Sequence, residues 1–368
     1  MKVALIHEHL AQDGGAEKVL QTFQKVFPNA PTYTLVHDKS QANEVFLDKD
    51  IRTSFIQRSP FGVRHYRWYL TLMPAAIESF DLSGYDVVLS SASAFAKGVI
   101  TTPDTLHICY CHSPTRYLWT DGHRYVKELH YPGFIKKLLP PFLSRLRTWD
   151  ILAAQRVDQF IANSKTVQNR IKKYYHAKSD IIHPPVDISK FKISENIDNY
   201  YLIGGRLVPY KRYDLAIQAF NKLGLPLKIF GTGPEYKRLK ETAKDNIEFL
   251  GRVDDEEMAS LYSRAIAFIH PQEEDFGITA VESMAAGRPT IAYASGGALE
   301  TVVPGLSGEF FDDQDWESLA DKIIRFRPEI YDAGKIRAHA ESFSEENFSH
   351  KINKYVNDKW VDFREQKV

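Results

Sequence analysis

The stretch 200-YYLIGGRLVPYKRYDLAIQAFNKLGLPLKIFGTG-233 opens on a short apolar run that stops at paired glycines. A polar loop containing Pro209 follows. The next run, YDLAIQAFNKL, repeats its apolar residues every three to four positions, as a helix with one buried face does. A second apolar run, LKIF, again ends on glycine. Strand, loop, helix and strand in this order form a parallel crossover unit covered by helices.

The same unit recurs outward in both directions. Downstream come the helix EYKRLKETA, the strand IEFLGRV (247–253), the helix DEEMASLYSRA and the strand IAFIHP (266–271). Upstream, VALIH (3–7), YDVVLSSA (85–92), TLHICYC (105–111) and RVDQFIANS (156–164) read as strands. The last of these runs into Asn-Ser, suited to cap the helix KTVQNRIKKYY. Consecutive prolines in IIHPPVDISKF (181–191) break the rhythm and mark an interdomain connection. The tail SEENFSHKINKYVNDKWVDFRE carries one long helical pattern. The expected fold is α/β: two doubly wound, Rossmann-like domains, 1–190 and 191–343, facing each other across a cleft, with a C-terminal helix, 344–368, crossing back onto the first. Sheets of this kind bind ligands beyond the carboxyl ends of their strands.

Composition narrows the function classes. A chain of 368 residues suits two domains, and 43% hydrophobic residues suffice for two full cores. No run of eighteen apolar residues occurs, so a membrane-spanning helix is not expected. MKVALIHEHL is interrupted by charge too early for a secretory signal. Cys109 and Cys111 are expected on opposite faces of a strand, unable to form a disulfide, which fits a reducing cytosol. Net charge is zero, which argues against a nucleic-acid partner. Yet residues 1–190 hold 24 Lys/Arg against 17 Asp/Glu, and the remainder 23 against 30. A basic first half fits an anionic membrane surface or a phosphorylated ligand.

Candidate chemistry sits in the loops after strands. In GGRLVPYKR (204–212), Arg206 and Lys211 offer a bidentate fork and a point charge for a diphosphate. GTGPE (231–235) lacks the third glycine of a dinucleotide fingerprint, so hydride transfer is poorly supported. In PQEEDFGITAVESMAAGRP (271–289), a helix is expected to start near Ile278 and stop at Gly287. The first-turn amides of Gly277, Ile278 and Thr279 would then make an anion seat. Glu274 lies before that turn and Glu282 within the helix, each able to accept hydroxyl hydrogen bonds. Asp313-Gln314-Asp315 has the form of a cation motif, but its place before WESLADKIIRF favours helix capping.

In this order and spacing, GGRLVPYKR, FGTGPE, FLGRV and EDFGITAVESMAAGRP resemble the family-four retaining glycosyltransferases of the GT-B type. GGAE (14–17) and YCHSPTRYLW (110–119) extend the likeness to the first half, which looks most like bacterial O-antigen and exopolysaccharide mannosyltransferases. The resemblance implies that Arg206 and Lys211 hold the donor diphosphate and that Glu274 lies near the donor sugar, with Phe276, Gly277, Ile278 and Thr279 beside it. It makes Glu282 the ribose ligand, Gly15 a close backbone approach, Gly251 and Val253 neighbours of the nucleobase, and His112 a catalytic group at the reacting centre. Arg116, Tyr117 and Trp119 are candidate acceptor contacts. Asp254 or Asp255 could accept from guanine.

The implied activity is retaining hexosyl transfer, mannose from GDP-mannose to a lipid-linked saccharide of cell-surface polysaccharide synthesis. No metal or other cofactor is expected, because cations and a helix terminus already meet the diphosphate. The expected place is the cytoplasm, peripheral to the inner face of the membrane. RSPFGVRHYRWYLTLMP (58–74) and YPGFIKKLLPPFLSRLRTW (131–149) mix cations with aromatic and apolar residues, as surface-lying segments do. The alternatives are a UDP-sugar donor, a nucleotide-sugar epimerase, and a non-catalytic donor-binding subunit of a synthase.

Overall fold

The computed structural model of the chain describes residues 1–120 and 133–367. It divides into two compact units, Met1–His183 with Phe348–Val368, and Pro184–Asn347. The change of unit falls after His183, seven residues ahead of the expected boundary at 190, because Val186 already pairs with Ser344 of the second unit.

The first unit holds seven strands: β1 (Val3–His7), β2 (Thr32–Thr34), β3 (Ile51–Thr53), β4 (Val87–Ala92), β5 (Leu106–Cys111), β6 (Gln159–Ala162) and β7 (Ser179–Ile181). All pair in parallel, in the order β3-β2-β1-β4-β5-β6-β7. β1, β4 and β5 are buried along their whole length, as central strands covered on both faces must be. One face packs Ala4, Ile6, Val88 and Cys109 against Leu143 and Leu146 of the helix Gly133–Gln155. The other packs Leu5, Leu89 and Tyr110 against Phe23 of the helix Gly15–Val26. Phe348, Ile352 and Val356 of the C-terminal helix Glu345–Glu365 enter this same core, so the helix does cross back to the first unit.

The second unit holds β8 (Tyr201–Gly204), β9 (Leu227–Phe230), β10 (Ile247–Gly251), β11 (Phe268–His270), β12 (Thr290–Tyr293) and β13 (Gly308–Phe311). They too are parallel, in the order β10-β9-β8-β11-β12-β13. In both units the winding reverses once, between β1 and β4 and between β8 and β11. At such a reversal the loops diverge to opposite faces and leave a crevice at the strand ends.

One reading needs correction. Cys109 and Cys111 are both buried in the same core face, because residues two apart on a strand point the same way; each is a free thiol. The segment 58–74, expected to lie at a surface, follows the 3₁₀ turn Phe55–Arg58, contains the 3₁₀ turn Tyr66–Tyr69 and enters the helix Met73–Glu78. It does leave Phe61 and Trp68 about two-thirds exposed, at 69% and 66%. Of the segment 131–149, Tyr131 and Pro132 lie outside the described residues, while Leu143 and Leu146 are buried core.

Candidate active site

The second unit brings two loops together at its winding reversal. After β8 the chain passes the 3₁₀ turn Pro209–Lys211 and Arg212, which adopts the left-handed conformation at φ 52°. Lys211 is buried and Arg206 exposed, so the two expected cations part company. After β11 the loop 271–277 ends at Gly277, φ 86°, which precedes the helix Ile278–Ala285. That helix has no side-chain cap, so its first-turn amides, including those of Ile278 and Thr279, are left for an outside acceptor. A side chain at Gly277 would also put its first carbon 3.2 Å from His270 Nε2. Phe276 is buried with its ring edge-on to Phe343.

Lys211 Nζ and Glu274 Oε1 form an ion pair at 2.9 Å. Burial opposes charge on both groups, yet the pairing outweighs it: Glu274 stays below the ordinary carboxyl range and Lys211 above the ordinary amine range. Gly297 N–H donates to the Glu274 carbonyl at 2.8 Å and fixes the loop. Glu282 is also buried, and its Oε2 accepts from the Tyr262 hydroxyl at 3.3 Å. Gly251 closes β10 in the left-handed region, φ 71°, and its carbonyl accepts from Gly231 N–H at 2.6 Å. Val253 lies partly buried two residues on.

The two aspartates considered for guanine are occupied. Asp254 caps the helix Asp255–Arg264 by accepting from Glu257 N–H, and Asp255 pairs with Lys190 at 2.6 Å. Asp315 likewise caps the helix Trp316–Arg325.

In the first unit, His112 directly follows β5. Its Nε2 lies 2.8 Å from Ser91 Oγ, which in turn lies 3.1 Å from His7 Nδ1. His7 Nε2 reaches Glu17 Oε1 at 3.6 Å. The contact at Ser91 follows from register, since His7 and Ser91 are directly paired at the ends of β1 and β4. With the His7 proton on the nitrogen facing Glu17, Ser91 donates to His7 and accepts from His112, giving the chain one direction. His112 keeps a partly exposed edge, but surrounding protein still depresses its pKa to about 3, with His7 adding to the effect. Burial would raise the Glu17 carboxyl, but its hydrogen bond with His7 holds it below its ordinary value. Nearby, the Glu8 carboxylate accepts from the four amides of Ser93, Ala94, Phe95 and Ala96, locking the loop after β4.

Gly15 begins the helix Gly15–Val26, behind an extended Gly14. Trp119 donates its indole N–H to buried Asp150 at 2.8 Å and stacks on Tyr174. Asp150 also pairs with Lys97 and accepts from Thr115 and Tyr175. Arg116 and Tyr117 lie in the turn between Thr115 and Trp119 and are partly buried.

Sequence reasoning did not single out His7, Glu8, Glu17, Ser91, Gln272, His270, Tyr213 or Tyr262 for this site. His7 and His270 are each the last residue of a central strand, a position that was readable once the strands were assigned.

The first half of the chain, residues 13–190, matches the model of Glycosyltransferase Family 4, and residues 187–329 match that of Glycosyl transferases group 1. An uncharacterised glycosyltransferase of Methanocaldococcus jannaschii is 30% identical over 177 residues, 47% of this chain and 50% of that protein. The chain thus spans half the length of that curated relative. The alpha-1,3/1,6-mannosyltransferase alg2 of Schizosaccharomyces pombe is 25% identical over 370 residues, covering 84% of this chain and 70% of that one. Among solved structures, Anabaena HepE in complex with UDP superposes with a TM-score of 0.72 at 18% identity, covering 97% and 100% of the two chains. Two doubly wound sheets and two adjoining family matches lead to one assignment: the chain belongs to the group 1, family 4 glycosyltransferases of GT-B fold.

Proposed function

We propose that this chain is a retaining, metal-independent hexosyltransferase that moves mannose from GDP-mannose to a lipid-linked saccharide of cell-surface polysaccharide. The observation that carries the reading is the Lys211–Glu274 pair beside the uncapped helix at Gly277. An arriving diphosphate competes with Glu274 for Lys211, seats on the first-turn amides of Ile278 and Thr279, and draws in exposed Arg206. Glu274, released from part of its ion pair, then accepts from sugar hydroxyls, and Glu282 from the ribose. Catalysis is placement plus stabilisation of the departing diphosphate by fixed positive charge. His112 acts at the reacting sugar, held by Ser91 and His7.

Mannose is favoured by the mannosyltransferase among the relatives. A UDP-sugar is the second reading, supported by the UDP bound in the HepE structure and by the occupied side chains of Asp254 and Asp255. For the acceptor, exposed Phe55, Phe61, Trp68 and Leu72 share a segment with Arg58, Arg64 and Arg67. That segment has no acid from 55 to 77. Such a face suits an anionic bilayer carrying the lipid-linked acceptor. No helix of the described residues is long and apolar enough to cross a membrane.

The test is turnover of the purified chain with GDP-mannose or UDP-glucose and a lipid-linked acceptor, with and without chelator. Retained anomeric configuration in chelator supports the reading. Dependence on added magnesium or manganese refutes metal independence, epimerised donor without acceptor identifies an epimerase, and donor binding without turnover identifies a binding subunit.

A further inference from the structure

Two buried polar groups beside the Lys211–Glu274 pair have no hydrogen-bond partner among the described residues: His270 Nε2 and the Tyr213 hydroxyl. Both residues are closed to solvent, His270 fully and Tyr213 at 2% exposure. A buried polar group left unpaired is costly, so each such atom calls for an explanation.

The proton on His270 can be placed. Gln272 Nε2 lies 3.1 Å from His270 Nδ1 and 3.5 Å from Glu274 Oε1. Turning the Gln272 amide over would set its oxygen against the Glu274 carboxylate, so the nitrogen stays and donates to both. His270 Nδ1 therefore accepts, and the single ring proton sits on Nε2. Burial keeps the ring neutral, with a pKa of about 4.

Each unpaired donor also fronts on a glycine. His270 Nε2 stands 3.2 Å from the point where a side chain at Gly277 would begin. The Tyr213 hydroxyl stands 3.6 Å from the same point at Gly205, and Lys211 Nζ only 3.3 Å from it. Gly205 and Gly277 both adopt positive φ, 121° and 86°, where other residues would be strained, and a side chain at either would crowd these donors. Two neutral donors, one cation and uncapped helix amides then converge on positions without side chains.

We infer that the His270 Nε2–H and the Tyr213 hydroxyl are two further ligands of the donor diphosphate, each donating to a phosphate oxygen that approaches over Gly277 or Gly205. This rests on the nucleotide-sugar reading above. Neutral donors add grip without adding charge, so the diphosphate can still leave after transfer.

The experiment is calorimetric titration of GDP and of UDP into the full chain, its Tyr213→Phe variant and its His270→Phe variant, with thermal unfolding of each unliganded protein. Tyr213→Phe deletes a hydroxyl that has no hydrogen-bond partner among the described residues. Its unfolding temperature should be unchanged or higher, while both nucleotides bind about tenfold more weakly, the scale of one lost hydrogen bond to a charged group. His270→Phe should lose affinity similarly, and equally for GDP and UDP, because the contact is to phosphate rather than base. Wild-type binding with both variants within twofold overturns the inference and leaves the glycosyltransferase reading standing. A loss confined to one base, or one matched by a fall in unfolding temperature of both variants, also overturns it. No wild-type binding of either nucleotide overturns both.

Discussion

The two winding reversals carry opposite kinds of polar chemistry. At the end of β1, His112, Ser91, His7 and Glu17 form a chain of mostly neutral groups, joined across 84 and 21 positions of sequence. At the end of β11, Lys211 and Glu274 set full opposite charges 2.9 Å apart, with Gln272 only two residues from Glu274. A neutral chain of donors and acceptors suits uncharged hydroxyls and moves little charge. A cation held by a displaceable carboxylate suits an anion that can take the carboxylate's place. The same sheet topology therefore supplies two different solvents for reacting groups, and the side chains at the strand ends decide which.

The largest test of this contrast strikes the first unit's support. Asp150→Ala would leave Lys97 buried without its partner and strip Thr115, Tyr175 and Trp119 of their acceptor. Stability should fall by about 3–5 kcal/mol, measured by denaturant unfolding. An unchanged midpoint would mean that this network does not anchor the unit.

Lys211→Ala should cost about 2–4 kcal/mol of transition-state stabilisation in kcat/KM, the scale of one preorganised charge at a departing oxyanion. If Ser91→Ala cost as much, the assignment of charge work to the second unit and neutral work to the first would break.

Acid should weaken both units for one reason. His107 and His112 in the first unit and His270 in the second are held neutral, with pKa values of about 3, 3 and 4 against an ordinary 6.5. Folding then binds fewer protons than the unfolded chain, so this stability is fully present above pH 6.5. It is lost as pH falls from 6.5 toward 4 and 3. At pH 5 each group should already have cost about 2 kcal/mol. Denaturant titrations at pH 7 and pH 5 measure the sum, and His107→Phe should flatten the first unit's share.

The smallest effect sharpens the surface reading. Trp68→Ser with Arg67→Gln should reduce flotation with anionic liposomes and leave turnover on a soluble acceptor unchanged. Equal flotation would remove the segment 58–74 from the membrane proposal.

Much of the second unit was legible because its determinants are contiguous. GGRLVPYKR and EEDFGITAVE each place loop, glycine and helix start in one short run, and the helix does begin at Ile278. The pairing of Lys211 with Glu274 was not readable, since 63 positions separate them and only the β8–β11 adjacency joins their loops. The first unit was harder. β2, β3 and β7 have three residues each, too few for any period to show. The relay behind His112 depends on the register His7 to Ser91, which no local pattern encodes. The resemblance pointed to His112 itself but could not indicate what holds its ring. Trp119, expected beside the acceptor, has its indole N–H committed to Asp150.

One consequence follows from Phe348, Ile352 and Val356 lying beside Phe23 and Tyr110. A ribosome makes the seven-stranded sheet before the second unit, yet the aromatic and aliphatic residues that finish its covering emerge only after that unit. Until then the half-clad sheet must wait with greasy surface bare while the whole second unit is translated. Nascent chains stalled before Phe348 should therefore be the ones that chaperones hold longest.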